Sequence, residues 1–269
     1  MKSPSTVYIL ATGVQDVERL RLLNQVYGPA SHAVLRQAGL AEGLRVAEIG
    51  CGTGNVTCWI ARQIGQRGAV IGIDKNQPQI EQARRQAAEQ KLTNVTFQEG
   101  DAYTPGLPSE SFDMAYCRLV LMHLTRPLEA LRALRDLVRP GGRVVCEELE
   151  LGQWLCHPPT RCMERFFELN LKLGERCGEN YRLGSALPCL FREAGFGVPE
   201  ATAYFPLVLR GENKRLLAMT FDQFAPALVQ KGLATPEDVK QIARDMERVA
   251  ADETTLLGFP LTVQVWAAK

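Results

Sequence analysis

The stretch Val46-Ala-Glu-Ile-Gly-Cys-Gly-Thr-Gly-Asn55 decides the fold of this 269-residue chain. A short apolar run leads to the acidic residue Glu48, and glycines then follow at positions 50, 52 and 54. The apolar run predicts a buried strand, and the glycines predict a tight turn into a helix that a ligand can approach closely. The spacing G-x-G-x-G departs from the dinucleotide pattern G-x-G-x-x-G, because Asn55 stands where that pattern has its third glycine.

A second apolar run, Val70 to Asp74, also ends in a carboxylate. It follows a helical stretch at residues 56–64, so the two strands and the helix predict one βαβ unit. A carboxylate at that strand end can accept hydrogen bonds from both hydroxyls of a ribose. The glycine loop upstream favours this role for Asp74 over that of a plain turn carboxylate.

Strands and helices continue to alternate beyond this unit. Residues 94–99, 111–117 and 143–149 read as three further strands, and Gly100-Asp101 follows the first of them. An amphipathic helix is predicted over 127–138, with Pro127 in its first turn and the Pro140-Gly-Gly142 run as its stop.

Six segments, in one order along the chain, resemble class I S-adenosylmethionine-dependent methyltransferases, and the pattern looks most like the small-molecule enzymes of ubiquinone and menaquinone biosynthesis. The segments are residues 48–54, 72–74, 100–102, 112–113, 121–124 and 137–142. The resemblance implies an α/β fold, a doubly wound Rossmann-like seven-stranded and mostly parallel sheet with an antiparallel last strand at 260–268. It also implies N-terminal helices and helical cap insertions.

The resemblance implies S-adenosylmethionine as cofactor and places its site residue by residue. Glu48 and the glycine loop face the methionine part and the ribose, Asp74 takes the ribose hydroxyls, and Asp101 accepts from the adenine amine. The implied set is Glu48, Gly50, Cys51, Gly52, Asn55, Asp74, Lys75, Asp101, Ala102, Cys117 and Arg118. Tyr8 and Gln25 precede the first strand and are candidates to cover the cofactor, although helices packed on the sheet edge explain them equally well.

The chain divides into three predicted regions. Residues 1–45 form an N-terminal helical cap region, with a helix over 16–27, a break at Gly28-Pro29 and a second helix over 31–38. Residues 46–150 form the cofactor-binding core. Residues 151–269 carry helical substrate-cap insertions and the remaining strands of the same domain, with helices expected at 160–177, 186–194, 212–230 and 236–251.

Aromatic side chains in the first insertion are candidates for contact with the methyl acceptor. They are Trp154, Phe166, Phe167 and Tyr181. A roof of this kind favours an apolar or aromatic acceptor. Aromatic residues at helical spacing are also commonly ordinary core, and that explanation stays open for each of them.

His123 is the first candidate for a general base, because it follows the fourth strand and a histidine side chain titrates near neutral pH. A packing role at a helix start is the alternative. Glu147 and Glu148 end the fifth strand, where alternation predicts that one of them enters the pocket, and Glu148 is the second catalytic candidate. Tyr181 and His157 are weaker ones.

Composition narrows the classes of partner. A net charge of +1 and the lack of a basic patch with interleaved aromatics argue against nucleic acid. No apolar run is long enough to span a membrane, and no signal-peptide core is evident. The eight cysteines are scattered and form no C-x-x-C pair, so we expect neither a metal site nor a disulfide framework. Free cysteines are typical of a reducing compartment, so we expect a cytoplasmic protein.

The sequence thus predicts in-line, metal-independent methyl transfer to a small-molecule acceptor by a monomer or homodimer. One alternative is a cofactor-binding protein of the same fold with other or lost chemistry, such as a propylamine transferase or an inactive homologue. A nicotinamide dehydrogenase is disfavoured by the glycine spacing.

Overall fold

The structure is a computed structural model that describes residues 16–269. The helices are α1 Val17–Gln37, α2 Asn55–Ile64, α3 Gln77–Glu89, α4 Pro127–Leu137, α5 Arg161–Cys177, α6 Leu187–Glu193, α7 Leu216–Gln230 and α8 Pro236–Ala251. The strands are β1 Arg45–Ile49, β2 Ala69–Asp74, β3 Val95–Glu99, β4 Phe112–Arg118, β5 Val138–Glu150, β6 Leu155–His157, β7 Glu200–Tyr204, β8 Leu207–Val208, β9 Leu256–Gly258 and β10 Leu261–Ala268.

A seven-stranded sheet forms the centre of the fold, in the order β3-β2-β1-β4-β5-β10-β7. The pairs among β1 to β5 are parallel, whereas β10 runs antiparallel to both β5 and β7. The predicted fold, a mostly parallel sheet with an antiparallel last strand, is confirmed. The last strand lies one position inside the edge, because β7 pairs with its outer side.

The register of the central strands brings the predicted cofactor residues to one edge of the sheet. Glu48 in β1 pairs with Gly72 in β2 on one side and with Tyr116 in β4 on the other. The carboxyl ends of these parallel strands meet at the same edge, so the loops after β1, β2 and β4 share one crevice.

The N-terminal helix differs from the prediction, because α1 continues through Gly28-Pro29 instead of breaking there. A proline inside a helix costs about 3 kcal/mol, since it removes one amide hydrogen bond and crowds the preceding turn. Burial of the apolar face of α1, including Leu22, Val26 and Leu35, offsets that cost.

The region after β5 contains both predicted and unpredicted elements. Helices α5 and α8 match the expected 160–177 and 236–251, while the expected helix 212–230 starts as a 3-10 turn at Glu212–Arg215. The short sheet β6-β9-β8 was not predicted. Within residues 16–269, no helix combines the length and apolar character needed to cross a membrane.

Candidate active site

A cavity of about 350 Å³ lies at the carboxyl ends of β1, β2 and β4 and reaches under α1, α5 and α7. The cofactor residues that the sequence predicted and that line it are Glu48, Gly50, Cys51, Gly52, Asn55, Asp74, Lys75, Asp101, Ala102 and Arg118. The structure therefore brings residues from separate segments of the chain together around one space.

The glycine loop is shaped by close backbone approaches. Gly50 has φ +75°, and a Cβ there would lie 2.1 Å from Cγ2 of Val120 in the loop after β4. Gly54 has φ +80°, and its Cβ would lie 2.9 Å from Cβ of Ala83 in α3. Both positions need glycine for conformation and for space, so the loop can pass between β4 and α3 into the start of α2.

Asp74, at the end of β2, stabilises this loop through hydrogen bonds to the backbone. Its Oδ2 accepts the backbone N–H of Gly52 at 2.9 Å, and its Oδ1 accepts that of Asn76 at 2.9 Å. Burial raises the pKa of the Asp74 carboxyl, while the two amides favour its ionised form. The carboxylate lines the cavity and retains lone pairs on both oxygens for a ligand.

Glu48 lies deeper, at the floor of the same cavity. Oγ1 of Thr57, in the first turns of α2, donates to its Oε2 at 2.5 Å. Burial raises the pKa of Glu48 to about 7, and the hydrogen bond from Thr57 opposes that rise. An ionised Glu48 would complement a positively charged group placed over β1.

Asp101 and Ala102, which follow β3, also line the cavity. Oδ1 of Asp101 accepts the backbone N–H of Tyr103 at 2.8 Å, so the carboxylate is held by the turn that follows β3. Asp101 is exposed on its other side. The acceptor oxygens and the adjacent partly buried Ala102 suit a purine amine and ring edge.

S-adenosylmethionine fits the chemistry of this cavity. The molecule has two ribose hydroxyls, an adenine amine and a cationic methionine part, and the cavity holds the carboxylates of Asp74, Asp101 and Glu48 on three separate segments. The glycine loop between Glu48 and Asp74 leaves backbone surface open, because a Cβ added to Gly52 would meet no atom closer than 3.9 Å. These residues therefore suit the chemical groups of the cofactor.

The last two residues of β4, Cys117 and Arg118, differ in their surroundings. Arg118 lines the cavity and donates to Oγ of Ser31 at 3.0 Å, which ties the end of β4 to α1. Cys117 was expected beside the methionine group, but the structure contradicts this. Its side chain is fully buried, faces Cys146 of β5 and packs into the hydrophobic core.

Glu148 was expected in the pocket as a catalytic candidate, and the structure corrects this. Its side chain is fully buried away from the described cavity wall, where the backbone amides of residues 120, 121 and 122 donate to it. Glu147, which points to the other side of β5, accepts from Tyr116 and Gln264. Neither carboxylate enters the cavity, because each one satisfies buried donors instead.

His123 lines the cavity at the end of a 3-10 helix, Leu121–His123, that follows β4. Its Nδ1 lies 3.2 Å from Oε2 of Glu179, and its ring meets the ring edge of Tyr181 with centroids 5.4 Å apart. Tyr181 also lines the cavity, and its hydroxyl donates to the same oxygen of Glu179.

The remaining site predictions have mixed outcomes. Phe166 lines the cavity, whereas Trp154 stacks on Phe167 with ring centroids 4.5 Å apart, and neither of these two is part of the described wall. Gln25 is exposed on α1, on a face turned away from the cavity. Tyr8 lies outside the described residues.

Several lining residues were missed by the sequence analysis. They are the polar Asp16, Arg19, Asn170 and Thr220 and the apolar Leu20, Leu23, Leu216, Leu217 and Phe224. Helical periodicity marks which of them are buried but does not show that their helices meet over the crevice. Asp16 and Arg19 form a buried ion pair at 2.6 Å that Gln223 in α7 extends by donating to Asp16.

The comparison with protein families assigns the chain to one of them. Residues 40–191, more than half of the chain, match the model of the methyltransferase domain family. The chain belongs to this family of S-adenosylmethionine-dependent methyltransferases, and the family's cofactor is the one that the sequence predicted.

Individual relatives of this chain are also named as methyltransferases. Aklanonic acid methyltransferase DauC from Streptomyces sp. (strain C5) is 34% identical over 124 residues, which are 46% of this chain and 56% of that protein. Demethylmenaquinone methyltransferase from Lactococcus lactis is 28% identical over 180 residues, covering 60% of this chain and 69% of that one. The match spans about half the length of the first curated relatives.

A solved structure shows the same fold. Phosphoethanolamine N-methyltransferase 2 from Haemonchus contortus, in complex with S-adenosyl-L-methionine, aligns with a TM-score of 0.54 at 14% identity. The alignment covers 94% of this chain and 52% of that one. At that identity the likeness extends to the fold alone.

Proposed function

We propose that this protein transfers a methyl group from S-adenosylmethionine to a small apolar or aromatic acceptor, without a metal ion. The observation that carries the proposal is the continuity of the cavity. Its polar part holds Asp74 and Asp101, and its other part is walled by side chains such as Leu149, Phe166 and Phe224. A bound cofactor and an apolar acceptor can therefore share one space.

The relatives support a small acceptor. Aklanonic acid and demethylmenaquinone, the compounds in two of their names, are small molecules, and residues of α1, α5 and α7 line part of the described cavity. A cavity that helices partly cover suits a compact acceptor better than a polymer.

The chain's own residues supply binding, orientation and exclusion of water. When bound, S-adenosylmethionine supplies an electrophilic methyl group on a sulfonium. The apolar wall keeps water away and holds the acceptor, and correct placement of two reactants can contribute about 7–11 kcal/mol of the barrier. His123, which lines the cavity beside Tyr181, is the proposed base that takes a proton from the acceptor.

Calorimetric titration tests the cofactor half of this proposal. We expect S-adenosylmethionine and its demethylated product to bind, with NAD giving no heat. Binding of NAD in their place would overturn the proposal.

A screen of acceptors tests the other half. Purified protein and S-adenosylmethionine are incubated with phenols, hydroquinones and polycyclic aromatic acids, and the demethylated cofactor is measured with and without EDTA. We expect turnover with at least one aromatic acceptor, unchanged by EDTA. Turnover that EDTA abolishes and Mg²⁺ restores would contradict the metal-independent part.

A further inference from the structure

The carboxylate of Glu179 is buried in an unusual setting behind the cavity. Its side chain is fully inaccessible, and its Oε1 has no hydrogen-bond partner among residues 16–269. Its other oxygen, Oε2, receives both the hydroxyl of Tyr181 and Nδ1 of His123. Burying a carboxylate with one oxygen unsatisfied is costly, so this position calls for an explanation other than stability.

Local backbone geometry places Glu179 there. Gly178, with φ +72°, caps the end of α5, and the N–H of Glu179 then bonds back to the carbonyl of Gly174 at 2.9 Å. This is the hydrogen-bond pattern of a Schellman motif. The next residue, Asn180, donates its N–H to the carbonyl of Met122 at 2.9 Å, so the end of α5 is fastened to the 3-10 helix that carries His123.

Tyr181 has a defined place in the same arrangement. A Cβ on Gly174 would lie 2.9 Å from Cδ2 of Tyr181, so the missing side chain of Gly174 lets the ring lie flat on α5. From there the hydroxyl reaches Glu179 and the ring edge contacts His123. Two side chains, from positions 179 and 181, thus converge on the proposed base.

We infer that Glu179 is a positioning residue for His123, holding the imidazole proton on Nδ1 so that Nε2 has the lone pair that accepts a proton. The inference rests on the proposed methyl transfer. With Glu179 as the acceptor of this 3.2 Å contact, as it is for the hydroxyl of Tyr181, the proton lies on Nδ1. A neutral imidazole with Nδ1 protonated has its lone pair on Nε2.

The same contact serves the reaction after the proton has moved. As the acceptor atom bonds to the methyl carbon, the carbon–sulfur bond breaks and its electron pair stays on sulfur. The acceptor's proton passes to Nε2 of His123, which becomes an imidazolium. The negative charge of Glu179, in contact with Nδ1, then stabilises that cation, and Tyr181 keeps the carboxylate oriented.

Nitrogen-15 NMR of the histidine rings tests this without an acceptor. The chain has three histidines, at 32, 123 and 157, and the signals missing from a His123→Gln sample identify His123. We expect the neutral His123 ring in the wild-type protein to carry its proton on Nδ1. A wild-type ring protonated on Nε2 would overturn the inference.

Variants extend the test. Glu179→Leu and Glu179→Ala remove the acceptor, so the Nδ1-protonated form should lose its dominance in both. The matched control is Glu175→Gln, an exposed glutamate in the last turn of α5, which should leave the tautomer unchanged. An unaltered His123 tautomer in both Glu179 variants would contradict the inference. If neither variant folds, the wild-type spectrum alone shows whether His123 carries its proton on Nδ1.

Titration of the same samples with S-adenosylmethionine separates this inference from the proposed function. Failure of the wild-type protein to bind the cofactor would remove the proposed function whatever the tautomer. A ring protonated on Nε2 in a protein that binds the cofactor would remove only the role of Glu179.

Discussion

The carboxylate of Glu148 accepts the backbone N–H of Leu121 at 2.7 Å, although the two residues lie 27 positions apart in the chain. It also accepts the N–H groups of Val120 at 3.1 Å and Met122 at 3.3 Å. The first amides of a helix have no partner within it, and leaving one buried and unsatisfied costs about 1–3 kcal/mol. Glu148 therefore fixes the 3-10 helix that carries His123.

Glu148 should make the stability of the protein depend on pH. Burial raises the pKa of Glu148 to about 8, and the three amides oppose only part of that rise. A carboxyl whose pKa is higher in the folded than in the unfolded chain stabilises the fold at low pH, and the effect is lost as pH rises through the folded pKa. From pH 6 to pH 8, the wild-type protein should lose about 2 kcal/mol more unfolding free energy than Glu148→Gln.

Urea unfolding at the two pH values measures this difference. The exposed Glu175 provides the control, since Glu175→Gln should follow the wild-type pH dependence. An identical loss in wild type and Glu148→Gln would show that the buried carboxyl is not the group that titrates.

Local signals explain why the residues of the glycine loop and of the strand ends could be predicted to lie around one space. The loop after β1 and Asp74 at the end of β2 are each specified by a few adjacent residues, because glycine conformation and strand-end carboxylates are short-range features. The register of the parallel strands then brings them together.

The acceptor half depends on tertiary contacts that no local pattern encodes. His123 contacts Glu179, which lies 56 positions further along the chain. Glu148 was predicted to enter the pocket from the alternation of side chains along β5. That alternation cannot show that the backbone amide of Leu121 lies beside Glu148. Gly178 ends α5 in a left-handed conformation, yet the local sequence does not say which element the next residues contact. Similarly, the cost of Pro29 predicted a helix break that packing of α1 overrides.

Asp74→Asn should weaken binding of S-adenosylmethionine by roughly 10-fold to 100-fold. The change removes the charge from an acceptor of the proposed ribose hydrogen bonds, and hydrogen bonds to charged groups contribute about 1.5–3 kcal/mol. Calorimetric titration measures the change. Asp136→Asn, at an exposed position on α4, is the matched control and should bind like the wild type. Equal affinity in the two variants would exclude Asp74 from the site.

Gly50→Ala should be more damaging than Gly43→Ala, although both glycines have positive φ. Alanine in a left-handed conformation costs about 1–2 kcal/mol at either position. At Gly43 a Cβ meets nothing within 4 Å, whereas at Gly50 it would lie 2.1 Å from Val120. We expect Gly43→Ala to lose only stability and to keep cofactor affinity. Gly50→Ala should lose more stability and bind S-adenosylmethionine weakly. Thermal unfolding measures the stability, and calorimetric titration measures the affinity. Equal losses of stability in the two variants would mean that the loop can shift away from Val120.

His123→Ala should reduce turnover by roughly 10²–10⁴-fold while the affinity for S-adenosylmethionine stays within about twofold of the wild type. His123 lies in the cavity wall beside Tyr181, where we propose that the methyl acceptor binds. It contacts Glu179 rather than the glycine loop, so its removal should leave cofactor binding intact. The control is His157→Ala, which removes an exposed histidine at the end of β6 and should leave both quantities unchanged. Formation of the demethylated cofactor, measured with an acceptor from the screen, gives the rate. If His123→Ala turns over as fast as His157→Ala, the acceptor loses its proton without this base, and the imidazole serves only to pack against Tyr181.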